Sequence, residues 1–358
     1  MWNGFLYWGV RMALAQFISS LQGNLPLCIT VILILSVVFV NGWTDAPNAI
    51  ATCVATKSMG VGQAIAMAAV CNFFGVLVMT AVTPTVAQTV FMLVNFNGTA
   101  RFALIALCAA MVAIVLWAVA AWAFGIPTSE SHALIAGLTG AAIALEGGFS
   151  CVNISQWKKV IYGLIISSLI GAAGGFFAVK TVEKVFVKMD YKKSDEMFRH
   201  FQIFTAGIMA ALHGAQDGQK FIGVFMLGVS LVGGSSKNSF DIPLWLMLLC
   251  SVTMALGTCV GGRKIIKSVG MDMVKLEKYR GFSADIAAAA ALVVSCVFGL
   301  PVSTTHTKTF AVIGAGAAKN LKNVNWKVAV EMCLAWVLTF PGCAVAGWIT
   351  ALIFLRVM

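Results

Sequence analysis

Two short motifs, each present twice at a nearly fixed separation, constrain this chain more than any other feature. The first is Asn41-Gly42-Trp43-Thr44-Asp45-Ala46-Pro47-Asn48, echoed by His213-Gly214-Ala215-Gln216-Asp217-Gly218-Gln219-Lys220. The second is Gly125-Ile126-Pro127-Thr128-Ser129-Glu130-Ser131-His132, echoed by Gly299-Leu300-Pro301-Val302-Ser303-Thr304-Thr305-His306. Asp217 lies 172 positions after Asp45, while Pro301, His306 and Gly314 each lie 174 after Pro127, His132 and Gly140. Matching motifs in one order at a near-constant offset mark an internal duplication.

The aspartates stand in apolar surroundings. The first motif closes the apolar run 25–40, and the second separates the runs 201–212 and 221–232. Hydrophobic residues make up 60% of the chain and charged residues 10%, with a mean hydropathy of +0.93. A soluble domain carries roughly 25% charged residues, so this is an integral membrane protein. At about 20 apolar residues per helical crossing, there is room for on the order of ten spans. An ionisable side chain at the bilayer centre costs about 2.5–3.5 kcal/mol on insertion scales and is rarely idle. Asp45 and Asp217 are therefore candidate functional residues.

Composition also excludes several classes. The net charge of +11 comes from bases gathered in loops such as 180–193 and 263–280. That distribution fits inside-positive membrane topology and not nucleic-acid binding. The ten cysteines lie mostly in apolar runs without a C-x-x-C pair and read as small buried hydrophobes. Residues 214–220 lack the spacing and the Ser or Thr of a nucleotide-binding P-loop, so an ion gradient or a separate subunit supplies any driving energy. Segment 1–24 carries Arg11 and no cleavage pattern, and it reads as an interfacial or membrane helix.

The expected fold class is an all-α polytopic membrane protein of two homologous repeats, 25–180 and 201–358, joined by a charged linker at 181–200. Each repeat is expected to hold a helix broken at its Asp motif and a re-entrant helical hairpin, with about 10–12 membrane segments in all. Residues 83–100 read as irregular and 263–282 as an amphipathic basic piece. A plain count of four spans and a hairpin per half leaves the repeats parallel, unless a break or a hairpin arm adds a crossing.

The motifs carry the chemistry. Each Pro-x-Ser-x-x-His element opens a short helix whose N-terminal amides and dipole suit a tetrahedral oxyanion. Thr128, Ser129, Ser303, Thr304 and Thr305 add hydroxyl donors, and plain helix capping is the competing use of the serines. Asp45 and Asp217, with Thr44 and Gln216, are expected to bind Na+ through oxygen ligands or to carry H+. Lys220 matches Asn48 across the repeats, and it can neutralise Asp217, contact the anion or reach the interface. Glu130 matches Thr304, and pairing with Lys308 is one expectation for it. Ser131, His132, His213 and His306 are expected to support the motifs, the histidines by hydrogen bonding and not as metal ligands. An activated nucleophile pair is missing, so the chain is not read as an enzyme.

In this combination the four motifs and the charged stretch between them resemble the inorganic phosphate transporter family of PiT type, over roughly residues 25–355. The resemblance implies a secondary transporter of the cell (inner) membrane importing phosphate with Na+ or H+, built from two inverted repeats. It places Asp45, Asp217, Thr44 and Gln216 at the cation site. It places Asn48, Lys220 and the hairpin residues Thr128, Ser129, Ser303, Thr304 and Thr305 around phosphate. Phosphate, the coupling cation, lipid and a second copy in a homodimer are the expected partners, with no cofactor beyond that ion. The family's Gly-Ala-Asn-Asp is here Gly42-Trp43-Thr44-Asp45 and Gly214-Ala215-Gln216-Asp217. Thr44 is shorter and Gln216 longer than Asn, and Trp43 adds bulk, so the cation site differs in its ligands. A sulfate or other oxyanion permease, and a passive anion channel, are the alternatives.

Overall fold

Inside a bilayer each segment has to satisfy its own backbone hydrogen bonds, and this chain does so almost wholly as helix. The computed structural model describes residues 14–96, 100–233 and 240–357. The first half holds α1 (Leu14–Gln22), α2 (Leu25–Thr44), α3 (Pro47–Ala55), α4 (Val61–Val82), α5 (Thr85–Phe91), α6 (Ala100–Phe124), α7 (Glu130–Glu146) and α8 (Ile154–Val185). The second holds α9 (Tyr191–His213), α10 (Gln219–Gly233), α11 (Leu244–Val260), α12 (Arg263–Lys267), α13 (Lys278–Val297), α14 (Thr304–Ala317) and α15 (Trp326–Val357). Among the described residues the extended pairings are two isolated bridges, Val94 with Val152 and Val274 with Val324.

Among the described residues six helices are long and apolar enough to cross a membrane, or seven if the bent pair of α11 with 263–272 counts as one span. The expected 10–12 segments include shorter helices, among them α7 with 17 residues and α14 with 14. Other local expectations change as well. The stretch 83–100 contains α5, and 263–282 breaks into α12, a π-helical turn at Ser268–Asp272 and the start of α13. The charged stretch 181–200 is the end of α8 and the start of α9 around a turn at 186–190. Asp190 caps α9 there by accepting from the Lys192 and Lys193 amides. Of the N-terminal segment, residues 1–13 lie outside the described residues, and Leu14–Gln22 is helical.

The duplication is visible in the packing. α8 and α15 each run 32 residues and begin 172 positions apart. Each hairpin helix packs on the long helix of the other half, α7 on α15 and α14 on α8. Small residues allow these close approaches. A Cβ on Gly140 would meet the Ala344 carbonyl, and one on Gly314 the Ala172 carbonyl. Those carbonyls are themselves 172 positions apart, so the two interfaces correspond residue for residue. This crossed packing carries each hairpin tip to the Asp motif of the opposite half.

Candidate functional site

The two Asp motifs solve the same problem differently. α2 ends at Thr44, the Asp45 amide still reaches the Asn41 carbonyl at 2.9 Å, and Pro47 opens α3. Proline has no amide to continue the ladder, so the helix breaks there. The corresponding residue in the second motif is Gln219, which keeps its amide. The second motif is accordingly not an interruption, as expected from its glycines, but a π-helical turn over Gly214–Gly218 leading into α10. Both devices turn a carboxylate into the bundle, where Asp45 is 2% and Asp217 1% exposed.

Around Asp45 the ligands come from both halves. Its Oδ1 accepts from Asn48 Nδ2 at 2.7 Å and from the Thr305 hydroxyl at the tip of the other hairpin. Asn48 Nδ2 also reaches Thr305 Oγ1 at 3.0 Å, while Asn48 Oδ1 is buried with no hydrogen-bond partner. Asp217 is more fully engaged. Its Oδ1 lies 2.5 Å from Lys220 Nζ and 3.4 Å from Ser131 Oγ. Its Oδ2 takes Asn41 Nδ2 at 3.3 Å and Thr304 Oγ1 at 3.4 Å, and His213 Nε2 lies 3.3 Å away. Lys220, fully buried, donates further to Ser131 Oγ at 2.6 Å and to the Val302 carbonyl. Glu130 joins from the α7 tip and accepts from the Thr44 hydroxyl. One ligand atom from each of Asp45, His213 and Asp217 falls within a 4.8 Å group, which an ion could bridge.

Several expected residues stand elsewhere. Ser129 and Ser303 act as helix caps, their hydroxyls accepting from the His132 and His306 amides at 3.3 and 3.2 Å. Thr128 is half-buried and makes none of the cluster's contacts. Gln216 turns from the carboxylates and donates to the Leu300 carbonyl at 3.3 Å. His213 is held by a hydrogen bond with Asn72 Oδ1 at 2.9 Å. His132 and His306 do not pin their motifs by side-chain hydrogen bonds as expected; they pack on each other at 4.4 Å, against Phe340 and Trp336 respectively. Trp43 packs on Trp122 at 4.5 Å, and Lys264 lies over that ring.

The expected Glu130–Lys308 pair is not formed. Lys308 pairs instead with Asp285 of α13, and Thr52 of α3 donates to the same carboxylate at 2.8 Å. Asp285 and Asn41 were not singled out from the sequence, although each had a signal. Asp285 is a lone carboxylate in an apolar helix, and Asn41 occupies the position matching His213. The centre thus gathers three carboxylates and one ammonium, with hydroxyls and amides from both halves. Oxygen donors of these types suit a cation, and the first-turn amides of α7 and α14 beside them have no intrahelical acceptors to offer themselves to.

The chain matches the phosphate transporter family over residues 41–347. A probable low-affinity inorganic phosphate transporter of Bacillus subtilis (strain 168) is 37% identical over 310 residues, covering 86% of this chain and 91% of that protein. One from Rhizobium meliloti (strain 1021) is 35% identical over 306 residues, covering 86% and 90%. The solved structure of a protein described as the sodium-dependent phosphate transporter shares the fold, with a TM-score of 0.85 and 21% identity over 94% of this chain and 100% of that one.

Proposed function

Because the chain belongs to the phosphate transporter family, we propose that this multi-pass membrane protein imports inorganic phosphate together with a cation, and that the cation is Na+. The observation that carries this reading is the Asp45–Asn48–Thr305 group. A carboxylate, a buried amide oxygen without a partner and a hydroxyl converge there, and hard oxygen ligands of this kind suit Na+. The structural neighbour's description as sodium-dependent points the same way.

Phosphate is read as docking against the first turns of α7 and α14. The first-turn amides not taken by the Ser129 and Ser303 caps supply donors, the hydroxyls of Thr304 and Thr305 join them only on leaving the Asp217 and Asp45 carboxylates they now face, and Thr128 lines the approach. A bound cation offsets the repulsion between the anion and the carboxylates, so the two ligands favour each other's binding. We read the repeats as inverted, and the support is the crossed pairing of α7 with α15 and of α14 with α8. An inverted pair places two such half-sites about the bilayer midplane.

In proteoliposomes with Na+ and H+ gradients imposed separately, labelled phosphate is expected to accumulate on the Na+ gradient and to be displaced by excess arsenate but not by sulfate. Accumulation on the H+ gradient alone would replace Na+ by H+ as the coupling ion. Equilibration indifferent to both gradients would sink the symport reading in favour of a passive channel.

A further inference from the structure

The geometry points to a role for Lys220 that goes beyond the coupling reading and rests on it: we propose that its ammonium is a tethered cation. It permanently fills the second of two corresponding cation sites and leaves Asp45–Asn48–Thr305 as the exchangeable one.

The duplication defines the two sites. An offset of 172 carries Asp45 to Asp217 and Asn48 to Lys220, and an offset of 174 carries Thr128 to Val302 and Ser131 to Thr305. One site is therefore Asp45 and Asn48 with Thr305, and its counterpart is Asp217 and Lys220 with Ser131. Each joins the Asp motif of one half to the hairpin tip of the other. In both, the residue three after the aspartate reaches that aspartate's Oδ1, at 2.7 Å from Asn48 and 2.5 Å from Lys220.

The contents of the two sites differ. Lys220 Nζ has three protons and three oxygen acceptors: the Asp217 carboxylate, the Ser131 hydroxyl and the Val302 carbonyl before α14. Carboxylate, hydroxyl and unwound backbone carbonyl are the donor types that a monovalent metal ion takes. With its side chain fully buried, Lys220 has no proton left for phosphate unless one of these contacts breaks. Asn48 is shorter and uncharged. Its Oδ1 is buried beside the Asp45 carboxylate and the Thr305 hydroxyl with no partner, although Asn48 is only 3% exposed. A buried amide oxygen left unpaired is unfavourable, and a cation at that point satisfies it. The first site is thus shaped for a charge that arrives and leaves, while the second holds one that cannot dissociate.

A purely structural ion pair would also bury Lys220 against Asp217, but it makes no statement about cation number. The discriminating test is equilibrium binding of radioactive Na+ to the purified full chain, alongside gradient-driven phosphate uptake. Wild type is expected to bind about one Na+ per chain, and Lys220→Asn, which recreates the first site's residue in the second, about two. Lys220→Arg keeps the positive charge and is expected to stay at the wild-type count. A Lys220→Asn chain that gains no Na+ overturns the proposal, as does a wild type that already binds two. If Lys220→Asn cannot be purified folded, the wild-type count decides alone: one supports the proposal, and any other number overturns it. Uptake that ignores the Na+ gradient is a separate failure, that of the coupling reading, and it leaves the comparison of binding counts intact.

Discussion

Asp45→Asn is expected to abolish Na+-driven phosphate uptake while the protein still purifies folded. The substitution keeps the shape of the side chain and its contacts with Asn48 and Thr305, and removes the charge from the exchangeable site. Truncating one member of a buried, hydrogen-bonded charge interaction costs about 2–5 kcal/mol. In apparent Na+ affinity that is roughly 30-fold to several-thousand-fold. Nothing buried is left without a counter-charge, because Lys220 remains on Asp217. Asp217→Asn is a different case, although the sequence presents the two aspartates as equivalents. It strands the Lys220 ammonium, which destabilises by about 3–5 kcal/mol in addition to any effect on transport. Uptake at saturating phosphate, with a thermal melt of each variant, separates the outcomes. Full activity in Asp45→Asn would reduce that carboxylate to a helix-end contact.

The second large effect is expected outside the site. Lys308 and Asp285 form a buried pair between α14 and α13, both at or below 1% exposed, and Lys308 Nζ also meets Thr52 Oγ1 at 3.2 Å and the Ala49 carbonyl at 3.4 Å. Lys308→Met leaves Asp285 charged and buried without its partner, a loss of about 3–5 kcal/mol. The melting midpoint in detergent should fall accordingly. The double variant Lys308→Met with Asp285→Leu should recover most of the loss, because apolar packing often replaces a buried ion pair at little cost. A single variant that melts with wild type would show that the pair contributes nothing to the packing of α3, α13 and α14.

These two expectations also mark what sequence reasoning reaches. The duplication was legible because Pro127, His132 and Gly140 recur at one offset, and the membrane class followed from long apolar runs that only helices can satisfy. Asp45, Asn48, Asp217, Lys220 and the hairpin hydroxyls were found because polar groups in such runs are costly. Their pairing was not legible. An offset relates each residue to its copy, whereas the contacts run from one half to the other, Asp45 to Thr305 and Asp217 to Ser131. The π-helical turn at Gly214–Gly218 was hidden because glycine there read as a break, yet the residue that breaks the first copy is Pro47, with Gln219 in its place in the second. Ser129 and Ser303 offered two uses, and the cap geometry takes both of them. A Glu130–Lys308 pair is one of the options the sequence leaves open, because both residues sit on hairpins. Asp285, on the helix that precedes its own hairpin, was the nearer carboxylate in space.

The central claim is that cation and phosphate share one site and favour each other, a coupling that has to be reciprocal at equilibrium. The direct measurement is the phosphate Kd of the purified protein in Na+ and in an equal concentration of choline, with the Na+ affinity taken with and without phosphate. The account predicts that Na+ tightens phosphate binding and that phosphate tightens Na+ binding by the same factor, with both effects lost in Asp45→Asn. A phosphate Kd that is the same in Na+ and in choline would contradict it.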